Sequence, residues 1–299
     1  MAQASTGTAL TTISSTQDNR PRLGEPSPGR LLNRTTNREN TMKKITVPLD
    51  IQTAQVIFVS HSGGKDSQAM LALLIRLGFK GRIVLVHSDL GEMEWEPMHH
   101  WIEKNSFGLP VHVVRSEMTF FDMVRKYKRI PSGNNQFCTD FLKIVPIEAF
   151  IHDYMTKHGL KTAVNATGMR AEESKRRAEK EPFQLSEMTR KRKFPDHMIF
   201  DWLPLFDYST AEVLEEIKEA GQVPHHVYSL GFSRLSCVFC VNGRIGEHQQ
   251  AAILRPELAL KMAKLEREVG KTIRTKQINK VKHPKFLDEY INIADGYCG

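Results

Sequence analysis

The stretch Ser62-Gly63-Gly64-Lys65-Asp66-Ser67 decides how this chain is read. It follows an apolar run, Val56-Ile57-Phe58-Val59, and precedes Met70-Leu71-Ala72-Leu73-Leu74-Ile75, which has a helical pattern. Strand, glycine turn and helix together form the arrangement by which α/β proteins hold a phosphate. Paired glycines let the backbone approach the anion, and the first turn of the helix points unpaired N–H groups at it. Lys65 adds charge, and the Ser62 and Ser67 hydroxyls add hydrogen bonds. The spacing G-x-x-x-x-G-K-[ST] is absent, so this is not a Walker A loop.

Outward from the loop, apolar runs alternate between strand and helix patterns. Val56–Ser60, Arg82–His87, Val111–Val114, Thr162–Ala166 and Phe200–Leu205 read as five strands. Ser67–Leu77, Pro97–Asn105, Phe120–Lys128, Ile144–His158 and Ser209–Ala220 read as helices, the last opened by a capping box of Ser209 with Glu212. The alternation predicts an α/β fold, a five-stranded parallel sheet with helices on both faces. In such sheets ligands sit beyond the carboxyl ends of the strands. Ser62–Ser67, Asp89 and Gly168–Arg170 are therefore expected on one rim. Residues beyond 247 read as a helical C-terminal extension, with Leu258, Met262, Leu265 and Val269 forming one apolar stripe that packs on the body.

A chain of 299 residues holds a sizeable core. Residues 1–41 lack aromatics, are rich in Ser, Thr, Asn, Arg and Pro, and read as disordered. Met42-Lys43-Lys44 opens the first folded-looking segment, so Met42 is a candidate start. Asp18, Glu25 and Glu39 argue against a transit peptide. The expected division is an N-terminal extension over 1–45, a loop-bearing domain over 46–246 and a helical segment and tail over 247–299. No apolar run approaches the roughly 18 residues of a membrane span. Four cysteines do not make a disulfide scaffold, and they read as belonging to reducing cytoplasm. The net charge of +8 suits anionic partners, nucleotide or nucleic acid.

Further segments carry chemistry. Asp89 follows the second strand, where it either holds a ribose hydroxyl or metal ion or caps the turn. Arg170, in Gly168-Met169-Arg170-Ala171-Glu172-Glu173-Ser174, suits a bidentate phosphate or sulfate clamp, against the plainer reading of a charged helix start. The basic stretch from Lys175 to Lys193 is expected to be mobile, as a solvated face or a nucleic-acid or phosphate contact. Cys237-Val238-Phe239-Cys240 with the distant Cys138 suits a soft metal centre. Three readings stay open: a [4Fe-4S] cluster on Cys138, Cys237 and Cys240 with one iron open, a zinc site completed by His225 or His226, and a metal-free redox pair. His99 and His100 read as surface residues.

The loop resembles the pyrophosphate loop (PP-loop), S-G-G-x-D-S, of the ATP pyrophosphatase and phosphoadenosine phosphosulfate (PAPS) reductase superfamily. Asp89-Leu90-Gly91 is similar to a D-[STL]-G segment of PAPS reductase relatives, and Gly168–Ser174 to their G-[LM]-R-x-x-E-S segment. Phe137–Lys143 resembles their C-T-x-x-L-K segment, and Tyr228–Cys240 their Y-x-x-G-[FY]-x-R-x-[GS]-C-x-x-C segment. The resemblance spans about residues 54–245 and implies the adenine nucleotide α-hydrolase-like fold. It implies nucleotide binding by Ser62, Gly63, Gly64, Lys65, Asp66, Ser67, Asp89, Gly168 and Arg170. Iron–sulfur relatives carry a Cys-Cys pair where this chain has Phe137-Cys138, so a fourth thiolate is missing there. Family members use a tail cysteine in an E-C-G-[IL]-H context. Cys298 has the following Gly299 but neither the Glu nor the His.

The resemblance implies a sulfur-handling nucleotide enzyme. Its first form reduces PAPS or adenylyl sulfate to sulfite, with Lys65, Asp66, Arg170 and Cys298 as catalytic residues and a thiol reductant protein as partner. Its second form cleaves ATP, with Mg²⁺ at the phosphates, and delivers sulfur to a nucleic-acid acceptor, as DNA phosphorothioation and tRNA thiolation enzymes do. Many dedicated PAPS reductases have a degenerate loop, and the intact loop here favours the second form. The family segments and Cys298 favour the first. A non-catalytic nucleotide- or nucleic-acid-binding module is the reading from another class. It requires the intact loop to be vestigial.

Overall fold

The computed structural model describes residues 43–191, 195–278 and 281–291. The extension over 1–41, the end of the basic stretch and Cys298 lie outside these residues. By its contacts the chain divides into residues through Ala54 and residues from Gln55 onward, so the C-terminal helices belong to the same unit as the sheet. In the first unit, helix α1 (Leu49–Thr53) follows Pro48, and the Gln52 side-chain amide donates to the Val47 carbonyl at 2.9 Å.

The second unit runs β1 (Val56–Ser60), α2 (Lys65–Arg76), β2 (Ile83–Asp89), α3 (Met98–Lys104), β3 (Val111–Arg115) and α4 (Phe120–Tyr127). Helix α5 (Phe137–Thr139) then passes through a π turn (Asp140–Ile144) into α6 (Val145–Lys157). After β4 (Thr162–Ala166) come α7 (Lys175–Ala178), β5 (Phe183–Leu185), α8 (Glu187–Arg190), β6 (Met198–Trp202) and α9 (Thr210–Glu219). The chain continues with α10 (Ile245–Leu254), α11 (Pro256–Val269), β7 (Arg274–Ile278) and β8 (Val281–Lys285). The capping box expected at Ser209 and Glu212 is formed.

The sheet order is β3-β2-β1-β4-β6-β5, with five parallel strands and β5 antiparallel at the edge. The five parallel strands are those expected from the sequence. Val56–Val59 of β1 are all buried, as a central parallel strand covered on both faces requires. On one face, Val56 and Phe58 of β1 join Val84 and Val86 of β2 and Ile151 and Met155 of α6 in one apolar cluster. α2 is buried along most of its length and packs on α9, where Arg76 grips Glu216 through two bonds of 3.0 Å. The strand order reverses between β1 and β4, and that switch point opens the ligand crevice of such sheets.

Two expectations are corrected. The basic stretch is built into the structure up to Lys191: Ser174 and Ser186 cap α7 and α8, and β5 pairs with β6 between them. Phe183 and Leu185 supply the alternating apolar residues of a short edge strand. The chain beyond 247 is helical only to Val269. Gly270, at φ 64°, closes α11, and the β-branched residues Thr272, Ile273 and Thr275 favour the β7–β8 hairpin that follows. The Leu258, Met262 and Leu265 stripe of α11 is buried in a second cluster with Phe120, Val227, Phe239 and Leu287, as expected. Among the described residues no helix is long and apolar enough to cross a membrane.

Candidate active site

The loop between β1 and α2 takes the shape that its glycines permit. Gly63 has φ 80°, and a Cβ there would collide with Met98 Cε. Gly64, the N-cap of α2, has no side chain to cap the helix, so the Asp66 and Ser67 N–H groups are left without an intrahelical partner. Ser67 Oγ accepts the Ser62 N–H at 3.3 Å and donates to the Gly64 carbonyl at 2.9 Å, closing the turn on itself. The Lys65 N–H donates to the Tyr228 hydroxyl at 3.0 Å. That hydroxyl also accepts the Leu235 N–H at 3.2 Å, joining the loop to the segment that leads into Cys237. The Lys65 ammonium lies 3.0 Å from Asp66 Oδ2 and over the Tyr228 ring.

A cavity of about 360 Å³ opens here, lined by Ser62, Gly64, Asp66 and Ser67 of the loop and by Gly168 and Met169 beyond β4. Gly168 is a close approach: a Cβ on it would sit 2.7 Å from the Asp66 carbonyl oxygen. Four expected ligand residues, Gly63, Lys65, Asp89 and Arg170, do not line the cavity, and the last two are held elsewhere by partners of their own. Arg170 is 3% exposed, and its guanidinium is occupied within the protein. It donates to Asp66 Oδ1 and Glu172 Oε2 at 2.6 Å each, to the Tyr208 carbonyl at 2.9 Å and to Thr210 Oγ1 at 3.2 Å. Burial works against its charge, and Asp66 and the neighbouring carboxylates more than offset that. Arg170 therefore anchors the loop from behind and is not a free clamp. Asp89 pairs with Arg115 of β3 and accepts the Gly91 N–H at 2.6 Å. Burial opposes its charge, but Arg115 and Gly91 hold its carboxyl below the ordinary range. Its carboxylate ties the turn to β3 and does not line the cavity.

The cysteines meet at the other end of the same cavity, whose wall includes Cys237 and Cys240. A contiguous pocket of about 70 Å³ is lined by Cys138, Cys237 and Cys240 together. Cys138 comes from α5, and the π turn behind it carries Lys143 into both cavities. The Cys237 thiol hydrogen-bonds Cys240, and this bond leads the effects that bring the Cys240 thiol down to about 6. Burial opposes the shift, and the Asn242 N–H and Lys143 add to it. The same bond and burial push the Cys237 thiol up. Burial, with Cys240 nearby, also pushes up the Cys138 thiol. Three thiols line one small pocket with a cation beside them, and since their sulfurs do not all lie within 4.8 Å of one another, the arrangement suits a cluster rather than a single ion. No histidine or carboxylate lines that pocket among the described residues. His225 is not available as a fourth zinc ligand there, because Nε2 meets Glu96 Oε1 at 2.7 Å and Nδ1 accepts the Val227 N–H at 3.2 Å. His226 gathers with Glu96 and His225 instead. His99 is half-buried and His100 exposed.

The cavity also includes Arg177 of the basic stretch, Arg234 of the Tyr228–Cys240 segment and three residues to which the sequence did not point. Arg177 and Arg234 bring guanidinium groups to its wall, and His61, His87 and Glu94 line it near the loop. Arg177 is paired with Glu173. Burial, with His87 second, pushes the His61 imidazole down to about 3. The position of His61, one residue before the loop, was the available signal.

Residues 56–242 match the model of the phosphoadenosine phosphosulfate reductase domain. An uncharacterised protein of Methanocaldococcus jannaschii is 27% identical over 232 residues, which are 77% of this chain and 44% of that protein, so the chain spans under half of this relative's length. Among solved structures, the phosphate complex of phosphoadenylyl-sulfate reductase from Candida auris is similar at 13% identity. The match covers 62% of this chain and 83% of that one, with a TM-score of 0.43. FMN adenylyltransferase of Candida glabrata, with FAD and inorganic pyrophosphate, matches at 16% identity over 62% of this chain and 54% of its own, with a TM-score of 0.38. With its family segments matched over most of the sheet domain, this chain belongs to the phosphoadenosine phosphosulfate reductase domain family.

Proposed function

We propose that this chain is a nucleotide-dependent sulfur enzyme that holds an adenine nucleotide by its phosphates at Ser62–Ser67 and performs sulfur chemistry at the cysteine end of the same cavity. The observation that carries this reading is the continuity of one cavity from the loop to Cys237 and Cys240. The Gly64, Asp66 and Ser67 N–H groups and the Ser62 hydroxyl bind the phosphates, the Ser62, Gly63 and Lys65 N–H groups being engaged within the protein. Arg177 and Arg234 balance charge at the wall. Asp66, held by Arg170 and Lys65, shapes the loop and is not a base. Mg²⁺ would screen the phosphates.

In the first form the substrate is a nucleotide phosphosulfate. A thiolate attacks its sulfur, the S–O bond breaks, and the nucleotide phosphate leaves. A second thiol then displaces sulfite and a disulfide forms, with two electrons restored by an external thiol reductant. Cys298 is the candidate nucleophile by resemblance and lies outside the described residues. Cys138, Cys237 and Cys240 are the residues that would hold an iron–sulfur cluster, which supplies an open iron for a sulfur ligand when bound. The second form is favoured by the intact loop. An oxygen of a nucleic-acid acceptor then attacks the ATP α-phosphorus and pyrophosphate leaves, and sulfide-level sulfur from an external donor displaces AMP from the adenylated acceptor.

Product analysis on anaerobically purified protein tests the two forms. ATP, adenylyl sulfate and PAPS are offered separately with a thiol reductant, alongside Cys298→Ser. Sulfite lost in the variant supports reduction. AMP and pyrophosphate from ATP without sulfite support adenylation. Binding of DNA in a salt-dependent manner with no turnover of any nucleotide sinks both. Iron and sulfide measured on the same protein, and lost in Cys237→Ser, test the centre.

A further inference from the structure

His61 is 2% exposed and stands in the cavity wall between β1 and the loop. Its Nδ1 accepts the Gly63 N–H at 3.1 Å. A backbone N–H only donates, so Nδ1 is bare and the proton of the neutral ring sits on Nε2. That Nε2 is buried and has no hydrogen-bond partner among the described residues. A buried donor is costly when unpaired, and each such group calls for an explanation, a ligand among them. The backbone beneath it is also held. His87 of β2 donates from Nδ1 to the His61 carbonyl at 3.0 Å, and its Nε2 lies 3.3 Å from Glu94 Oε1.

We propose that His61 is a nucleotide-contacting residue whose Nε2–H donates to a phosphoryl oxygen of the nucleotide seated on Ser62–Ser67. The proposal rests on the nucleotide reading of the loop and adds to it a donor outside the loop itself. The ring is bonded to the loop's own Gly63 amide, so donor and anion site are one unit. Ser60, Ser62, Gly64 and Ser67 share the wall with it and present hydroxyls and backbone groups suited to oxygen atoms. The ring, buried beside His87, stays uncharged near neutral pH, so its role is to direct a hydrogen bond and not to neutralise the phosphate. The ionisable neighbour that acts on the ring is His87 of β2, which has Glu94 at 3.3 Å from its own Nε2.

The test is ¹⁵N-histidine NMR of the full chain with AMP, inorganic pyrophosphate or adenosine. In the free protein the His61 ring is expected as the Nε2–H tautomer, unchanged between pH 6 and 8. Its Nε2 proton moves downfield with AMP and with pyrophosphate but not with adenosine. His61→Asn keeps an acceptor for Gly63 and removes the outer donor, so AMP affinity falls about tenfold, and His61→Gln recovers most of it. The NMR result stands even if a variant fails to fold. Shifts of the Gly64, Asp66 and Ser67 amides with AMP while His61 Nε2 stays still overturn the proposal alone. A His61 response to adenosine without phosphate also overturns it. If neither the loop amides nor His61 respond to any of the three probes, the nucleotide reading itself falls and this proposal falls with it.

Discussion

Arg170 is an anion-binding side chain whose donors are already occupied by the protein. Its four bonds reach Asp66, Glu172, Tyr208 and Thr210, and the first of these fixes the loop from behind. Arg170→Ala leaves Asp66 with Lys65 as its remaining cation and is expected to cost about 1.5–3 kcal/mol in urea unfolding, the range for losing hydrogen bonds to a charged group. Arg170→Lys recovers only part of the loss, since one ammonium does not span the same acceptors. Wild-type stability with lost nucleotide affinity in the Ala variant would restore the clamp reading. Glu266 makes a second prediction at this scale. It is fully buried and accepts the Ile273 and Leu287 N–H groups at 2.7 and 2.6 Å, yet burial pushes its carboxyl from 4.5 up to about 7. The native state therefore keeps a proton that the unfolded chain has released. Stability from this group is full below pH 4.5 and falls as pH rises toward about 7. A urea midpoint that declines from acid to neutral pH in the wild type should lose that decline in Glu266→Gln.

At the scale of elements, the crevice depends on how closely β4 approaches α2. Gly168 makes that approach possible, because any Cβ would press on the Asp66 carbonyl oxygen and carbon at 2.7 and 2.8 Å. Gly168→Ala must push the end of β4 away from the loop. The expected cost is about 1–3 kcal/mol, together with loss of nucleotide binding measured by titration. Gly81 has open space for 4 Å around the position a Cβ would take and no positive φ, so Gly81→Ala is the control and should change neither quantity. The elements also show what local pattern conveys. β1 and α2 were legible because their burial repeats along the segment itself. β5 and the β7–β8 hairpin were not, because a short edge strand owes its existence to a partner: β6 for β5, and each other for the hairpin.

At the scale of the whole molecule, the C-terminal helices support the cysteine end of the cavity. Met262 and Leu265 of α11 belong to the cluster against which Cys138 and Cys237 pack. Met262 is fully buried, and Met262→Ala is expected to cost about 2–5 kcal/mol and, on the proposal of an iron–sulfur cluster at the three cysteines, to reduce the iron retained by anaerobically purified protein. Retention unchanged after a measured loss of stability would uncouple the helices from the centre. Side-chain chemistry and local pattern were open to reading in the chain itself: the phosphate-type loop, the Cys-x-x-Cys pair, the five parallel strands and the stripe on α11. These properties depend on residues within a few positions of one another. Only the tertiary structure decided that Arg170 turns inward to Asp66 across 104 positions, that Asp89 is held by Arg115, and that loop and cysteines share one cavity. It also decided which nitrogen of His61 carries the proton, through the turn that brings the Gly63 N–H onto its ring. The physical reason is that the direction of a polar group is set by its hydrogen-bond partners, and in this chain several of those partners come from distant strands and turns.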